Sequence, residues 1–173
     1  MQDSLLTSKN QLWQTPQDIL DLVTKVGPIA LDPASCEGNP TNAVAFYTPA
    51  EDGLLQPWAR NGLNYVNPPY KYSKAWVKKA VAEKLRGSDT IMCIPARTET
   101  TYWQDWIFPT ADSICFYRGR IKFIDPTTNP PTRKNPAVFP SALIYWGREE
   151  GRRVFDEVMA SHGRIVHTKL SVG

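Results

Sequence analysis

Cysteine is scarce and badly spaced for metal chemistry: the chain has three, Cys36, Cys93 and Cys115, with no Cys-x-x-Cys pair and only His162 and His167 to join them. Such a set makes a poor tetrahedral zinc site. Cys93 and Cys115 lie in apolar, strand-like runs, where buried reduced thiols are expected. No apolar run approaches the ~18 residues of a membrane span, and Met1-Gln2-Asp3-Ser4 does not open a basic-then-apolar signal peptide. The expectation is a cytoplasmic protein with no membrane span and no zinc site. Internal repeats, low-complexity tracts and linkers are also missing, so 173 residues read as one domain with little left over for a separate recognition domain. A net charge of +3 and a pI near 8.8 permit a nucleic-acid partner without demanding one.

What is present centres on Asn67-Pro68-Pro69-Tyr70, at the end of the short apolar run Leu63-Asn64-Tyr65-Val66. A strand stopped by two prolines leaves its last side chains at its carboxyl edge, where open α/β sheets place their ligands. The Asn67 side-chain carbonyl and the Pro68 backbone carbonyl can offer two converging acceptors to one amino group. An exocyclic amine on a base is a poor nucleophile because its lone pair is delocalised into the ring. Accepting hydrogen bonds from both its N–H groups favours a geometry that frees that pair, and the Tyr70 ring would hold the planar base by stacking. Asparagine is a weak base, so the site would orient and stabilise, with the proton lost after transfer. The competing structural reading is a rigid Asn-Pro-Pro turn.

Earlier in the chain, Thr15 reads as a helix N-cap with Pro16 at the first helical position and Asp18 completing the pattern; Ile19, Leu22, Val23 and Val26 share a face and Gly27 ends the helix. Trp13 is either a staple on this helix or part of a segment lying over a cofactor. Pro28 to Asp32 is a first strand, followed by Pro33-Ala34-Ser35. An acidic residue at that strand end is where a doubly wound sheet meets a nucleoside ligand. The usual Gly-x-Gly is absent, and an aspartate N-cap competes with a binding role for Asp32. Ala43 to Tyr47 reads as a second strand, and Asp52 in Asp-Gly-Leu is a second candidate carboxylate, against a plain Asp-Gly turn.

Beyond the motif, Ser73 is expected to cap a helix from about Lys74 to Arg86 with Trp76, Ala80 and Val81 inward and its lysines mostly on a solvated face. Asp89 to Pro95 is a continuous apolar strand of a parallel sheet centre. Arg97 follows it, beside the same cleft as Asn67, where a guanidinium can hold a phosphate; Tyr102, Trp103 and Trp106 then sit on a helix. Ser113–Tyr117 and Ile121–Ile124 flank Arg118-Gly119-Arg120, which reads as a tight hairpin or a turn, and a Thr/Asn/Pro-rich loop runs from Asp125 to Asn135. Arg118, Arg120, Lys122, Arg133 and Lys134 face only one acidic residue there, Asp125. A basic insertion at about 118–137 is the expected DNA-recognition surface, against a surface loop with no role. Ala142 to Gly147 is a strand, Glu149 to Ser161 a helix, and a last strand lies near Arg164 to Thr168.

Trp13-x-Thr15-Pro16, Leu31-Asp32-Pro33-Ala34, Asp52-Gly53-Leu54, Val66-Asn67-Pro68-Pro69-Tyr70, Trp76-Val77, Pro95-Ala96-Arg97-Thr98 and Gly119-Arg120-Ile121-Lys122-Phe123 occur in this order. Together they resemble the phage-type DNA N6-adenine methyltransferase (Dam) family over roughly residues 13 to 146. The resemblance implies a class I methyltransferase (Rossmann-like) three-layer sandwich with a mostly parallel central sheet. It implies S-adenosylmethionine as donor, double-stranded DNA as partner, no metal, and a phage or prophage origin. It carries the catalytic role onto Asn67, Pro68, Pro69 and Tyr70, and cofactor binding onto Trp13, Thr15, Pro16, Asp32, Pro33, Ala34 and Asp52. Asp32 would face the methionine ammonium and Asp52 the adenosine; Arg97, Arg118, Arg120, Lys122, Arg133 and Lys134 are the DNA-binding candidates. An RNA or protein-glutamine methyltransferase, an N4-cytosine methyltransferase and a non-catalytic DNA-binding module share parts of the pattern. The recognition sequence and the oligomeric state, a monomer among the possibilities, are not written in it.

Overall fold

A computed structural model describes residues 13–128, 130–133 and 139–169. Ten residues form the first helix, α1 (Gln17–Val26), whose Ile19, Leu20, Leu22 and Val23 are buried. Its N-cap is Pro16 rather than the expected Thr15, and no side chain caps it. The Thr15 hydroxyl is drawn instead into a buried hydrogen bond with the Tyr65 hydroxyl (2.8 Å), and the Pro16 carbonyl accepts from the Ile19 and Leu20 amides.

The strands are β1 (Ile29–Asp32), β2 (Ala45–Phe46), β3 (Leu63–Val66), β4 (Asp89–Pro95), β5 (Ser113–Tyr117), β6 (Ile124–Asp125), β7 (Thr132–Arg133), β8 (Ser141–Trp146) and β9 (Gly163–Val166). Helix α2 (Ser73–Leu85) follows β3, a π-helical turn (Trp103–Ile107) running into the short α3 (Phe108–Thr110) follows β4, and α4 (Glu149–Met159) follows β8. Ser73 is the first residue of α2 and its hydroxyl bonds to the Tyr70 carbonyl (2.8 Å), so it does not cap the helix as expected.

One seven-stranded sheet runs β2-β1-β3-β4-β8-β5-β9. Strands β2, β1, β3 and β4 pair in parallel, whereas β8 and β9 each pair antiparallel with β5, and β8 also with β4. The sheet is therefore mixed: five strands share one direction, and β8 and β9 oppose them. The chain returns from β5 to the neighbouring β8 with no crossover helix among the described residues, and β8 runs against β5. The α4 crossover then keeps β9 in the direction of β8 on the far side of β5. Side chains alternate across the sheet. Ile91, Cys93, Leu143 and Tyr145 pack with Ile19 and Val23 of α1 and Phe155 and Met159 of α4 on one face. Met92, Ile94, Ala142 and Ile144 pack with Trp76 and Ala80 of α2 and with Trp103 and Ile107 on the other. Helices thus cover both faces, an arrangement compatible with a Rossmann-like fold. No helix among the described residues is long and apolar enough to cross a membrane.

Arg118-Gly119-Arg120 does not turn a hairpin. Strand β5 exchanges its hydrogen bonds with β8 and β9, while Ile121 and Phe123 are buried against the α1 face, which takes this segment away from β5. The chain next pairs at Ile124–Asp125 with Thr132–Arg133 in a separate two-stranded ribbon, β6–β7. Burial of two apolar side chains outweighs a local turn preference.

Candidate active site

The direction of the chain reverses beside β1: from β1 it moves outward to β2, then returns to β3 on the other side of β1. At such a switch point the loops leaving the carboxyl ends part and leave a crevice. A cleft of about 400 Å³ opens there, within the range of small-molecule sites. The Asp32–Cys36 turn after β1, the Thr48–Leu54 loop after β2, Asn67 and Pro69 after β3, and Trp13 to Thr15 from the N-terminal side all contribute to its wall.

Asp32 is buried at 4% exposure. Its Oδ1 accepts from the Ala34 amide (3.1 Å) and its Oδ2 from the Thr41 hydroxyl (2.8 Å). Burial raises its pKa to about 6, against the lowering effect of these bonds. Close by, the Ser35 hydroxyl is buried and makes no hydrogen bond of good geometry, though it lies near enough to favour the Asp32 carboxylate. A desolvated carboxylate beside an unsatisfied hydroxyl is a receptor for a cationic, hydrogen-bonding ligand group. The sequence alone does not single out Thr41. Its only signal is the turn-rich stretch Gly38-Asn39-Pro40-Thr41-Asn42, in which Asn39 and Asn42 take left-handed backbone conformations (φ 48° and 53°) and Asn39 brackets both backbone groups of Ala43.

Asp52 also has a left-handed backbone (φ 56°), and its Oδ1 accepts from the Leu54 amide (3.1 Å), so it is a turn former and a cleft residue at once. Gly53 explains how its loop reaches β1: a Cβ at this position would run into the Pro33 carbonyl. The Gly53 carbonyl in turn accepts from Trp58 Nε1 (2.9 Å), whose ring stacks on Trp76 at 6.2 Å. Leu54, Pro69, Tyr72 and Trp76 supply apolar and aromatic wall around Asp52 and Asn67. Tyr72 is 52% exposed.

Asn67 lines the cleft with its amide held at both ends. Its Nδ2 donates to the Trp13 carbonyl (3.0 Å), and its Oδ1 accepts from the Tyr70 hydroxyl (3.2 Å). The Tyr70 ring stands edge-on to Phe139 (centroids 5.2 Å, 90°) and Phe123 (6.3 Å, 70°). Tyr70, Pro68 and Pro16 are not among the cleft-lining residues, whereas Trp13, Thr15, Asp32, Pro33, Ala34, Asp52, Asn67 and Pro69 are.

Two of the basic candidates lie at the carboxyl edge. Arg97 follows β4 and Arg118 follows β5, and the register of both strands against β8 sets these two ends at the same level on either side of it, at Ser141 and Ala142. Arg97 pairs with Glu99 (3.5 Å), and Arg118, Arg120 and Lys122 are exposed. Arg133 forks onto both carboxylate oxygens of Asp18 (3.0 and 2.9 Å) and onto the Lys122 carbonyl (3.2 Å), tying the ribbon to α1. Lys134 lies outside the described residues. Cys93 and Cys115 are free and buried, as expected, with burial pushing both thiols up to about 12. No group of metal-ligating side chains occurs among the described residues.

Comparison with known proteins follows the same line. The chain is 30% identical over 95 residues to a DNA N-6-adenine-methyltransferase of Escherichia phage T1, an alignment covering 54% of this chain and 40% of that protein. It is 27% identical over 131 residues to a protein of the same description from Haemophilus phage HP1 (strain HP1c1), covering 74% of this chain and 75% of the relative. The match spans about two fifths of the length of the phage T1 relative. The profile of the family described as DNA N-6-adenine-methyltransferase (Dam) matches residues 2–162, nearly the whole chain, and the chain belongs to that family.

Proposed function

We propose that this protein transfers a methyl group from S-adenosylmethionine to the N6 amine of adenine in double-stranded DNA, as a single class I methyltransferase domain with a basic insertion at about 118–137. The observation that carries the reading is Asn67, an amide held in an orienting clamp at a sheet switch point, in a cleft that also contains a buried carboxylate. Membership of a family whose phage relatives bear that activity's name supports it. The polymer these relatives are named for favours DNA over RNA or a protein glutamine. A phage enzyme of this kind would work in the host cytoplasm, where the DNA is.

The cleft suits the donor. Asp32, which lines the cleft with the buried hydroxyl of Ser35 beside it, would receive the amino-acid end. Asp52 with Leu54, Pro69 and Trp76 offers one carboxylate and apolar walls for the adenosine. S-adenosylmethionine supplies, when bound, a methyl group already activated on a sulfonium, so the protein needs no strong base or metal to make it transferable. The Asn67 Oδ1 and Pro68 carbonyl accept the two N–H groups of the extruded adenine and aim its nitrogen. Pro69 stiffens the strand exit, and the Tyr70 ring packs against the base. Most of the acceleration comes from orientation, and extrusion itself costs a few kcal/mol of lost pairing and stacking. Arg97, Arg118, Arg120 and Lys122 face the phosphates, while Arg133 holds the ribbon in place.

The test is transfer of labelled methyl to unmethylated plasmid DNA, digestion to nucleosides and identification by mass. N6-methyladenine is expected, and Asn67→Ala should lower its formation at least a hundredfold while the variant still folds and binds S-adenosylhomocysteine. Near-normal activity of that variant sinks the assignment of the centre.

A further inference from the structure

An asparagine amide is nearly symmetric in shape and opposite in chemistry at its two ends: one presents acceptors, the other donors. If Asn67 is to receive N–H groups from a substrate amine, its oxygen must face that amine, because an amide turned by 180° would set N–H against N–H. The surroundings decide between these states. Nδ2 sits 3.0 Å from the Trp13 backbone carbonyl, which can only accept, so that end of the amide must be the nitrogen. Oδ1 sits 3.2 Å from the Tyr70 hydroxyl, which donates to one lone pair and leaves the other.

We propose that the Tyr70 hydroxyl and the Trp13 carbonyl are positioning groups that act through Asn67, holding its amide so that the second lone pair of Oδ1 meets the substrate amine. This rests on Asn67 being the residue that orients the amine, and it adds to Tyr70 a task separate from stacking. The supports of the clamp are themselves fixed. Tyr70 is braced by the Phe123 and Phe139 rings, and its carbonyl takes the Ser73 hydroxyl at 2.8 Å. Trp13 is held through its neighbour: Gln14 and Ile124 exchange both backbone hydrogen bonds, at 3.0 and 2.9 Å. Burial pushes the Tyr70 phenol well above its ordinary pKa, the direction that favours the protonated donor form. Phe123 leads directly into the β6–β7 ribbon, of which Ile124 is the first residue, so the aim of Asn67 depends on the same segment that carries the basic insertion.

Tyr70→Phe isolates the hydroxyl, since the ring remains. Methyl transfer is expected to fall about tenfold to a hundredfold in kcat, the scale of a small misalignment of a catalytic group. KM for DNA, the Kd for S-adenosylhomocysteine by calorimetry, the melting temperature and the fluorescence of 2-aminopurine at the target position should all match wild type. In an Asn67→Ser background, which lacks the amide, the same change should cost nothing further in single-turnover rate, because two groups that act as one unit are not additive. A kcat for Tyr70→Phe within twofold of wild type overturns the proposal, as does a loss that adds in full to that of Asn67→Ser. Absence of N6-methyladenine with wild-type protein overturns the underlying reading, whereas an active wild type with an unimpaired Tyr70→Phe overturns the positioning role alone.

Discussion

Asp32 illustrates how a buried residue can be unfavourable in the protein by itself and, on the proposed function, suited to a ligand. Burial raises its pKa to about 6 from the ordinary aspartate value of 3.8, so the folded state holds its proton more tightly than the unfolded chain between those values. Stability from this group is therefore present at low pH and is lost as pH rises through about 6. Removing the charge by Asp32→Asn should raise the stability of the ligand-free protein at pH 8 by roughly 1–3 kcal/mol, with 1.36 kcal/mol per pKa unit as the guide. The Kd for S-adenosylhomocysteine should move the other way: it should rise in the wild type as pH falls below about 6, and in Asp32→Asn be weaker at pH 8 and flat with pH. A wild-type Kd independent of pH between 5 and 8 removes the ammonium-binding role. Asn64 and Asn67 make a related contrast three residues apart. The amide of Asn64 is fully buried and spent on the Ala59 amide and carbonyl and the Asp89 carbonyl, a purely structural duty, and only its neighbour faces the cleft.

Among the elements, the Asp52-Gly53 loop shows what a turn does beyond reversing the chain. It lies against the Pro33 carbonyl so closely that Gly53 has no room for a methyl group, which sets Asp52 across the cleft from β1. Gly53→Ala is expected to destabilise the fold by about 1–3 kcal/mol, the range for overpacking a tight site, and to weaken nucleoside binding as the loop retreats. Denaturant midpoints and calorimetry check both; an unchanged midpoint shows that the loop gives way freely. The β6–β7 ribbon is the element that sequence patterning misrepresents. Apolar alternation after Arg118-Gly119-Arg120 suggests a hairpin with β5, but β5 finds its partners in β8 and β9, and nothing local announces that.

For the whole molecule, the shared direction of β1, β3, β4 and β5 brings Asp32, Asn67, Arg97 and Arg118 to one edge of the sheet although they are far apart in the chain. The opposite edge is occupied by structural ion pairs such as Arg148 with Asp89 (2.6 Å) and Lys84 with Asp112 (2.6 Å). Charge complementarity with DNA is thus expected at the cleft edge only. Neutralising Arg118, Arg120 and Lys122 together should weaken duplex binding and reduce the slope of log K against log salt by up to about 0.9 for each phosphate no longer neutralised. Arg133→Ala should change the slope less, because that guanidinium already pairs with Asp18. Titration between 50 and 200 mM salt distinguishes these, and an unaltered slope for the triple variant puts the DNA face elsewhere.

The strongly apolar elements are legible in the order of residues alone. The first strand, Leu63 to Val66, the uninterrupted Asp89 to Pro95 strand and the helices after Pro16, Ser73 and Arg148 all form within a few residues of expectation, because burial patterns and proline stops are local properties. Asn67, Asp32 and Asp52 stand out in the same way, because residue type and place at a strand exit or tight turn are local too. Partnership is settled only by the folded chain. Thr15 bonds Tyr65 rather than capping a helix, the Trp13 carbonyl and Tyr70 hydroxyl clamp Asn67, Thr41 supports Asp32, and Arg133 turns to Asp18. These pairings join residues 3 to 115 positions apart. A hydrogen bond is chosen by which groups burial leaves side by side without water, and that choice is made by the packed sheet and its loops.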